Sequence, residues 1–551
     1  MNQDGPQTTV MVNGIDVLVS NPEGTLLELL RDQLSVGSVK DGCSPQGQCG
    51  CCTVLVDGKP RVACVTPVRR VRGKSIITLE GMDKERVDTW ADAFAACGAT
   101  QCGFCTPGII VRLDGTPPAK LDSALAAHQC RCTGWQTIYE AYDRVQALGA
   151  AHNPAGSATP DRDWEAAQRR AELEARTTQQ VGPHVALGLA PFAADSAPTD
   201  ALVAVPSSEG GWSVAATLHD ALRLSGKVQG RRTTEGCRWP LAVPDGSWSA
   251  TLRTTWVDGA YLEPDAAWCQ PGGEPTRAGG NGGAFGAKVG SWVPSAAQQL
   301  ANEHDAPVLA VARREDVARQ SPKRPPVAGG ANGDGSGHLL VADHANFDAT
   351  VAAIAAVAPG LTVEPAPLTG PPLSGAVRAA GWAEAAMLIA GAQGEASPVC
   401  SPDGATAAAS FDRFDEDATI AVTVRCGQVL DPVVLRSYCI GAAQMAWSWL
   451  LEEFLAVDES GEVRDLTMRS FMVLRASEAP TVLVDIDNTD DREPVNGSDA
   501  VFAAVAAAGW VKLGCVADLP ITQSSPQIRG EVAARTKAAR AQTARTSTRK
   551  V

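Results

Sequence analysis

Ten of the chain's sixteen cysteines lie before residue 133, and that crowding constrains the fold more than any other feature of the sequence. In a reducing compartment, stable disulfides are rare and closely spaced thiols bind metal instead. The first group is Cys43, Cys49, Cys52 and Cys64 in DGCSPQGQCGCCTVLVDGKPRVAC, three thiols in one loop and a fourth one hairpin later. Four thiolates hold a [2Fe–2S] cluster, and ferredoxin-type loops space three of them C-x4-C-x2-C. Here the first gap is five residues. Cys51 is set aside because Cys49-x2-Cys52 keeps the usual second gap. Gly42, Gly47 and Gly50 are expected to let the loop turn its amides inward, in conformations that a Cβ resists. The alternative is a four-cysteine zinc site, although structural zinc sites present two separate pairs. The second group is Cys102-Gly-Phe-Cys105 followed by Cys130-Arg-Cys132. By spacing alone it suits a zinc ion, a redox dithiol or a cluster.

Around these loops, TTVMVNGIDVLVS from Thr8 to Ser20 predicts two strands about an Asn13-Gly14 turn. Thr25 to Leu34 reads as a helix, and Thr53 to Val56, Arg61 to Val65 and Ser75 to Leu79 read as further strands. Helical patterns follow at Ala91 to Cys97, Gly108 to Leu113, Leu121 to His128 and Gln136 to Leu148. Residues 149–165 are small, polar and proline-bearing, as a linker is. Beyond them, strand-like runs (Ser247 to Trp256, Ile420 to Arg425) alternate with helical ones (Ser295 to Glu303, Tyr438 to Leu451), so an α+β region is expected.

The net charge of −15 argues against nucleic acid as the main partner, because phosphate binding needs clustered Lys and Arg. Only the tail from Arg529 to Lys550 is basic, and its composition predicts a solvated terminus. No apolar run reaches the length of a membrane span and Met1 to Thr9 does not read as an export signal, so a cytoplasmic protein is expected.

The residues flanking the second group decide its reading. GATQCGFCTPGIIVRL and HQCRCTGWQTIYEAY resemble the helical [2Fe–2S] domain of the xanthine dehydrogenase and aldehyde oxidase family of molybdenum hydroxylases. The preceding segment resembles that family's ferredoxin-like domain. The resemblance covers residues 8–148 and implies a second cluster on Cys102, Cys105, Cys130 and Cys132. It also implies that Gln101, just before the CxxC, touches molybdopterin carried by a partner subunit. One departure is that only 24 residues separate Cys105 from Cys130.

Weaker patches resemble the same family's molybdopterin subunit, in its order: Tyr261 to Pro264, Asn281 to Lys288, Val308 to Pro326, Ala376 to Gly381 and Arg425 to Pro432. Catalysis there needs a buried glutamate as general base, and the matching position is Ser498. Ala284 and Ala287 replace loop glycines, Tyr438 stands where a glutamine would meet the pterin, and Arg378 is expected to be a retained structural ion pair. No flavin or dinucleotide fingerprint appears between residues 150 and 230.

The expectation is therefore an α+β multidomain chain. It comprises a β-grasp ferredoxin-like [2Fe–2S] domain (1–82), an all-α four-helix [2Fe–2S] domain (83–148), a linker (149–165), a shortened, catalytically silent molybdopterin-subunit-like domain (166–525) and a basic tail (526–551). The resemblance implies an electron-transfer subunit with two [2Fe–2S] clusters and no catalytic residue of its own. Its partners would be a molybdopterin-binding catalytic subunit and an FAD-binding subunit. A self-contained compact hydroxylase and a stand-alone ferredoxin-like carrier are the alternatives.

Overall fold

The computed structural model describes residues 8–151, 162–226, 235–276, 283–411, 419–528 and 530. The basic tail from Arg529 onward, apart from Gly530, and Asn281 and Gly282 of the glycine-rich patch lie outside the described residues.

The first sheet contains β1 (Thr9–Val12), β2 (Ile15–Leu18), β3 (Thr53–Val56), β4 (Lys59–Val62) and β5 (Ser75–Ile77), in the order β2-β1-β5-β3-β4. Its two hairpins turn at Asn13-Gly14 (φ 51° and 82°) and Asp57-Gly58 (φ 47° and 71°), the paired left-handed residues that a type I′ turn requires. β1 and β5 pair in parallel. The expected helix from Thr25 is short: a capping box of Thr25 and Glu28 starts Leu26–Glu28, and the coil then widens into a π-type turn over Leu29–Gln33. That segment buries Leu26, Leu27, Leu29 and Leu30. The strand expected to reach Val65 ends at Val62, and Ala63–Val65 form a 3₁₀ turn, which places the Cys64 thiol beside the cysteine loop.

Helices follow at Lys84–Cys97, Thr106–Leu113, Leu121–Leu125 and Gln136–Ala151. The first starts earlier than its apolar pattern because the Asp83 side chain accepts from Arg86 N and caps it. The third ends earlier than expected: the chain after Leu125 turns toward Cys130, and Gln129 N donates to the Cys49 carbonyl at 2.9 Å. One helix runs to Ala151 and the next, Trp164–Ala175, is capped by Asp163; residues 152–161 of the predicted linker lie outside the described residues.

Among the described residues, the remaining chain forms three four-stranded sheets with helices packed on them. Two helices at its centre, Pro432–Leu451 and Ser498–Lys512, are apolar around nearly their whole circumference and almost fully buried, as core helices are. Asp431 caps the first by accepting from Val434 N at 2.7 Å, and Arg162 pairs with that carboxylate through two bonds. The chain is thus mixed α/β and multidomain. Among the described residues no helix is long and apolar enough to cross a membrane.

Candidate metal centres

Cys43, Cys49, Cys52 and Cys64 are all buried, none more than 2% exposed. Their thiols touch in a row: Cys49 to Cys43, Cys43 to Cys64 and Cys64 to Cys52. The amides of Gln48 and Cys64 point at the Sγ atoms of Cys43 and Cys52, each at 3.5 Å. Gly47 and Gly50 hold φ of 69° and 77°, conformations that favour glycine. Gly42 plays a different part from the one expected: its φ is not positive, but a Cβ there would lie 3.0 Å from the Cys49 Sγ. Cys51 is buried as well, and its thiol bonds to that of Cys49 on the side toward Cys102.

The second quartet makes a similar row, from Cys105 to Cys130 to Cys132 to Cys102. The Sγ atoms of Cys132 and Cys102 are 3.5 Å apart, and the Thr133 hydroxyl lies 3.3 Å from Cys130. Hydrogen bonds from Cys49 and Cys64 drive the Cys43 thiol well below its ordinary range, and those from Cys105 and Cys132 do the same to Cys130. Those same contacts push the neighbours up. Four buried sulfurs cannot all ionise without a compensating positive charge, which iron bound to thiolates supplies. The donor set fits a [2Fe–2S] cluster at each quartet. Among the described residues no three such side chains surround one point as a mononuclear ion requires.

The two loops pack back to back. Besides the bond from Gln129 to Cys49, a Cβ on Gly108 would overlap the carbonyls of Gly50 and Cys51, so the helix Thr106–Leu113 lies directly on the first loop. Phe104, within the second CxxC, puts its ring against Gly42. His128 is 2% exposed and sits against Gly50. Burial holds its pKa down to about 3.

The C-terminal region closes over the second quartet. Gln101, expected to meet a pterin on a partner subunit, is 7% exposed, and its Oε1 is buried without a hydrogen-bond partner among the described residues. Its Nε2 donates to the Cys132 carbonyl and to Ser437 Oγ, each at 3.0 Å. The cause is the helix Pro432–Leu451, where a Cβ on Gly441 would overlap the Cys132 carbonyl. Arg131, between two cluster cysteines, donates to Glu453 through two bonds of 2.6 and 2.8 Å, with 5% and 1% of the two side chains exposed. The spacing of the cysteines gave no sign of this pair, yet a charged residue inside a buried loop demands an acid somewhere.

Patches distant in sequence meet here. Gly283 lies against Arg131 and Cys132, Phe285 packs edge-on against Tyr438, and Arg378 sits 3.8 Å over the Phe285 ring. Arg378 Nε donates to Asp499 and its Nη2 to Ser498 Oγ, both at 3.0 Å. Arg324 bonds Glu384 twice at 2.7 Å. Glu174, a buried acid that sequence reasoning missed, accepts from the amides of Gly497 and Ser498 and from Arg170. The space left among Arg131, Phe285, Arg378, Trp449, Glu453 and Phe502 is a cavity of about 30 Å³, and a second beside Gln101 and Tyr438 is about 20 Å³. Each takes about one water, whereas organic cofactors occupy pockets of roughly 300–1,000 Å³. Among the described residues, ion pairs and rings leave no pterin-sized space at either spot.

Residues 78–143 match the family model of a [2Fe–2S] binding domain. The chain is 40% identical over 147 residues to the aldehyde oxidoreductase of Megalodesulfovibrio gigas, spanning 24% of this chain and 16% of that protein's length. It is 41% identical over 138 residues to the xanthine dehydrogenase iron-sulfur-binding subunit of Escherichia coli O157:H7, spanning 23% of this chain and 86% of that subunit. In fold, it resembles the crystal structure of the aldehyde oxidoreductase from Desulfovibrio desulfuricans, with a TM-score of 0.69 at 14% identity over 91% of this chain and 97% of the other.

Proposed function

The chain belongs to the xanthine dehydrogenase and aldehyde oxidase family of molybdenum hydroxylases, and from that premise we propose that it is an electron-transferring iron–sulfur subunit. Cys43, Cys49, Cys52 and Cys64 hold one [2Fe–2S] cluster, and Cys102, Cys105, Cys130 and Cys132 hold the other. Each cluster takes up and releases one electron. The molybdopterin and FAD reside on partner subunits, and residues 166–525 serve as a scaffold that encloses the second cluster.

The observation that carries this reading is the filled space around Arg131, Arg378 and Glu453, beside Ser498, the position that the resemblance assigns to a general base. The chain's own residues do the work of an electron relay. The amides of Gln48 and Cys64 stabilise sulfur charge, burial excludes water from both quartets, and the abutting loops at Gly50, Cys51 and Gln129 shorten the path between clusters. Because Gln101 is covered by the chain's own helix, approach is offered on the side of the first cluster instead.

A second reading, a self-contained hydroxylase, is favoured by the fold likeness to a whole aldehyde oxidoreductase. The two separate in one assay. The purified chain, expressed with molybdate supplied, is reduced by dithionite and mixed with ferricyanide, and it is also tested for oxidation of aldehydes and purines. The relay gives rapid cluster reoxidation and no substrate turnover. Turnover by the chain alone would contradict it.

A further inference from the structure

Outside the filled space, described residues line a cavity of about 450 Å³ between the first cluster loop and the C-terminal region. We propose that it is a docking site through which the clusters exchange electrons with an uncharged, planar two-electron carrier of the quinone type; this rests on the iron–sulfur reading above.

Three observations lead there. The first is electronic access. Phe104 lines the cavity, and its ring edge lies against Gly42, the spot that the Sγ atoms of Cys49 and Cys51 also approach. Because Phe104 is itself the neighbour of Cys105, one ring adjoins both cluster loops and the cavity. Ser44, beside Cys43, lines it too.

The second is shape. Phe104 meets Phe192 edge-on at 5.1 Å, and Val203, Leu309 and Val311 add aliphatic wall. Flat rings bind to such aromatic and aliphatic surfaces, and the volume lies in the range of small-molecule sites.

The third is charge. Arg31 and Lys40 are both engaged with Asp195, and Glu263 with Lys288 at 2.7 Å. That leaves Asp32 and Asp41 on the wall, with no ion pair of theirs among the described residues. A phosphate-bearing nucleotide would find both lining cations already paired with Asp195, whereas a neutral ring needs none. Ser35 and Ser44 also line the cavity and carry hydroxyls able to donate to the ring's carbonyls.

The electron count matches. Two reduced clusters give up one electron each, and the quinone takes both together with two protons from solvent to become a hydroquinone. No bond to the protein forms or breaks.

The test uses the full chain with both clusters loaded, reduced with dithionite and freed of excess reductant. It is mixed in a stopped-flow instrument with menadione, and in a parallel arm with flavin mononucleotide, while the visible cluster absorption is followed. The proposal expects the menadione rate to saturate with concentration. In Ala201→Trp and Thr199→Trp, which fill the cavity from its wall and rim away from the cysteines, saturation disappears. The low-concentration rate then falls by about tenfold or more, while reoxidation by ferricyanide is unchanged. A linear menadione dependence, or filled variants that behave as the parent does, would overturn it. Saturation by the flavin alone would overturn it in favour of a nucleotide site. If dithionite bleaches no visible absorption, the iron–sulfur reading fails and the proposal fails with it.

Discussion

Replacing Glu453 by leucine removes the acid that holds Arg131, whose side chain would then keep only its 3.2 Å bond to the Gly259 carbonyl. Both partners are nearly without solvent, at 5% and 1% exposure, so the guanidinium left behind cannot be rescued by water. Breaking such a buried pair costs about 3–5 kcal/mol, whereas replacing both members by apolar residues of similar volume is roughly neutral. At roughly 2–4 °C per kcal/mol for domains of moderate size, the single variant should lose its fold about 6–20 °C earlier. Arg131 lies between Cys130 and Cys132, so the second cluster should be the one to fail. The assay is thermal loss of each cluster's low-temperature electron paramagnetic resonance signal, in Glu453→Leu, Arg131→Met and the double variant. Expected are a large loss in each single variant, most of it recovered in the double. A single-variant cost below about 1 kcal/mol, or strict additivity in the cycle, would refute the argument that this space is held shut by a buried ion pair.

Further perturbations probe other parts of the account. Gly286→Ala would force a side chain at φ 92° onto the Ala376 carbonyl, and we expect loss of folded protein, read by yield and circular dichroism. Cys64→Ser and Cys132→Ser should each halve the iron content and remove one resonance signal. Cys51→Ala should keep both. For pH, burial depresses His128 from 6.5 to about 3, so the native state favours the neutral ring. That stability is fully present above pH 6.5 and is lost as pH falls toward 3, by up to about 1.4 kcal/mol per unit. Urea unfolding between pH 7 and 5 should show this slope, flattened in His128→Phe.

The parts of the fold that the sequence made legible are those encoded locally. Asn13-Gly14 and Asp57-Gly58 announce hairpins through residues that tolerate positive φ, and the cysteine spacing foreshadowed two thiol quartets because each loop must deliver its sulfurs within a few residues. What stayed hidden is long-range. Glu453 is 322 residues from Arg131, and Ser437 is 336 from Gln101, and no local periodicity encodes such partners. Gln101 shows the same limit: the motif fixes its position beside Cys102, but what its side chain meets depends on what packs across from it, here Ser437. The early end of the helix at Leu125 has the same origin, since Gln129 is drawn to the Cys49 carbonyl in the first cysteine loop.

The most direct test of the central claim is the metal content of the full chain, expressed with iron and molybdate in excess and analysed for both elements per polypeptide. The account predicts about four irons in two [2Fe–2S] clusters and no molybdenum; one molybdenum per chain, with pterin, would contradict it.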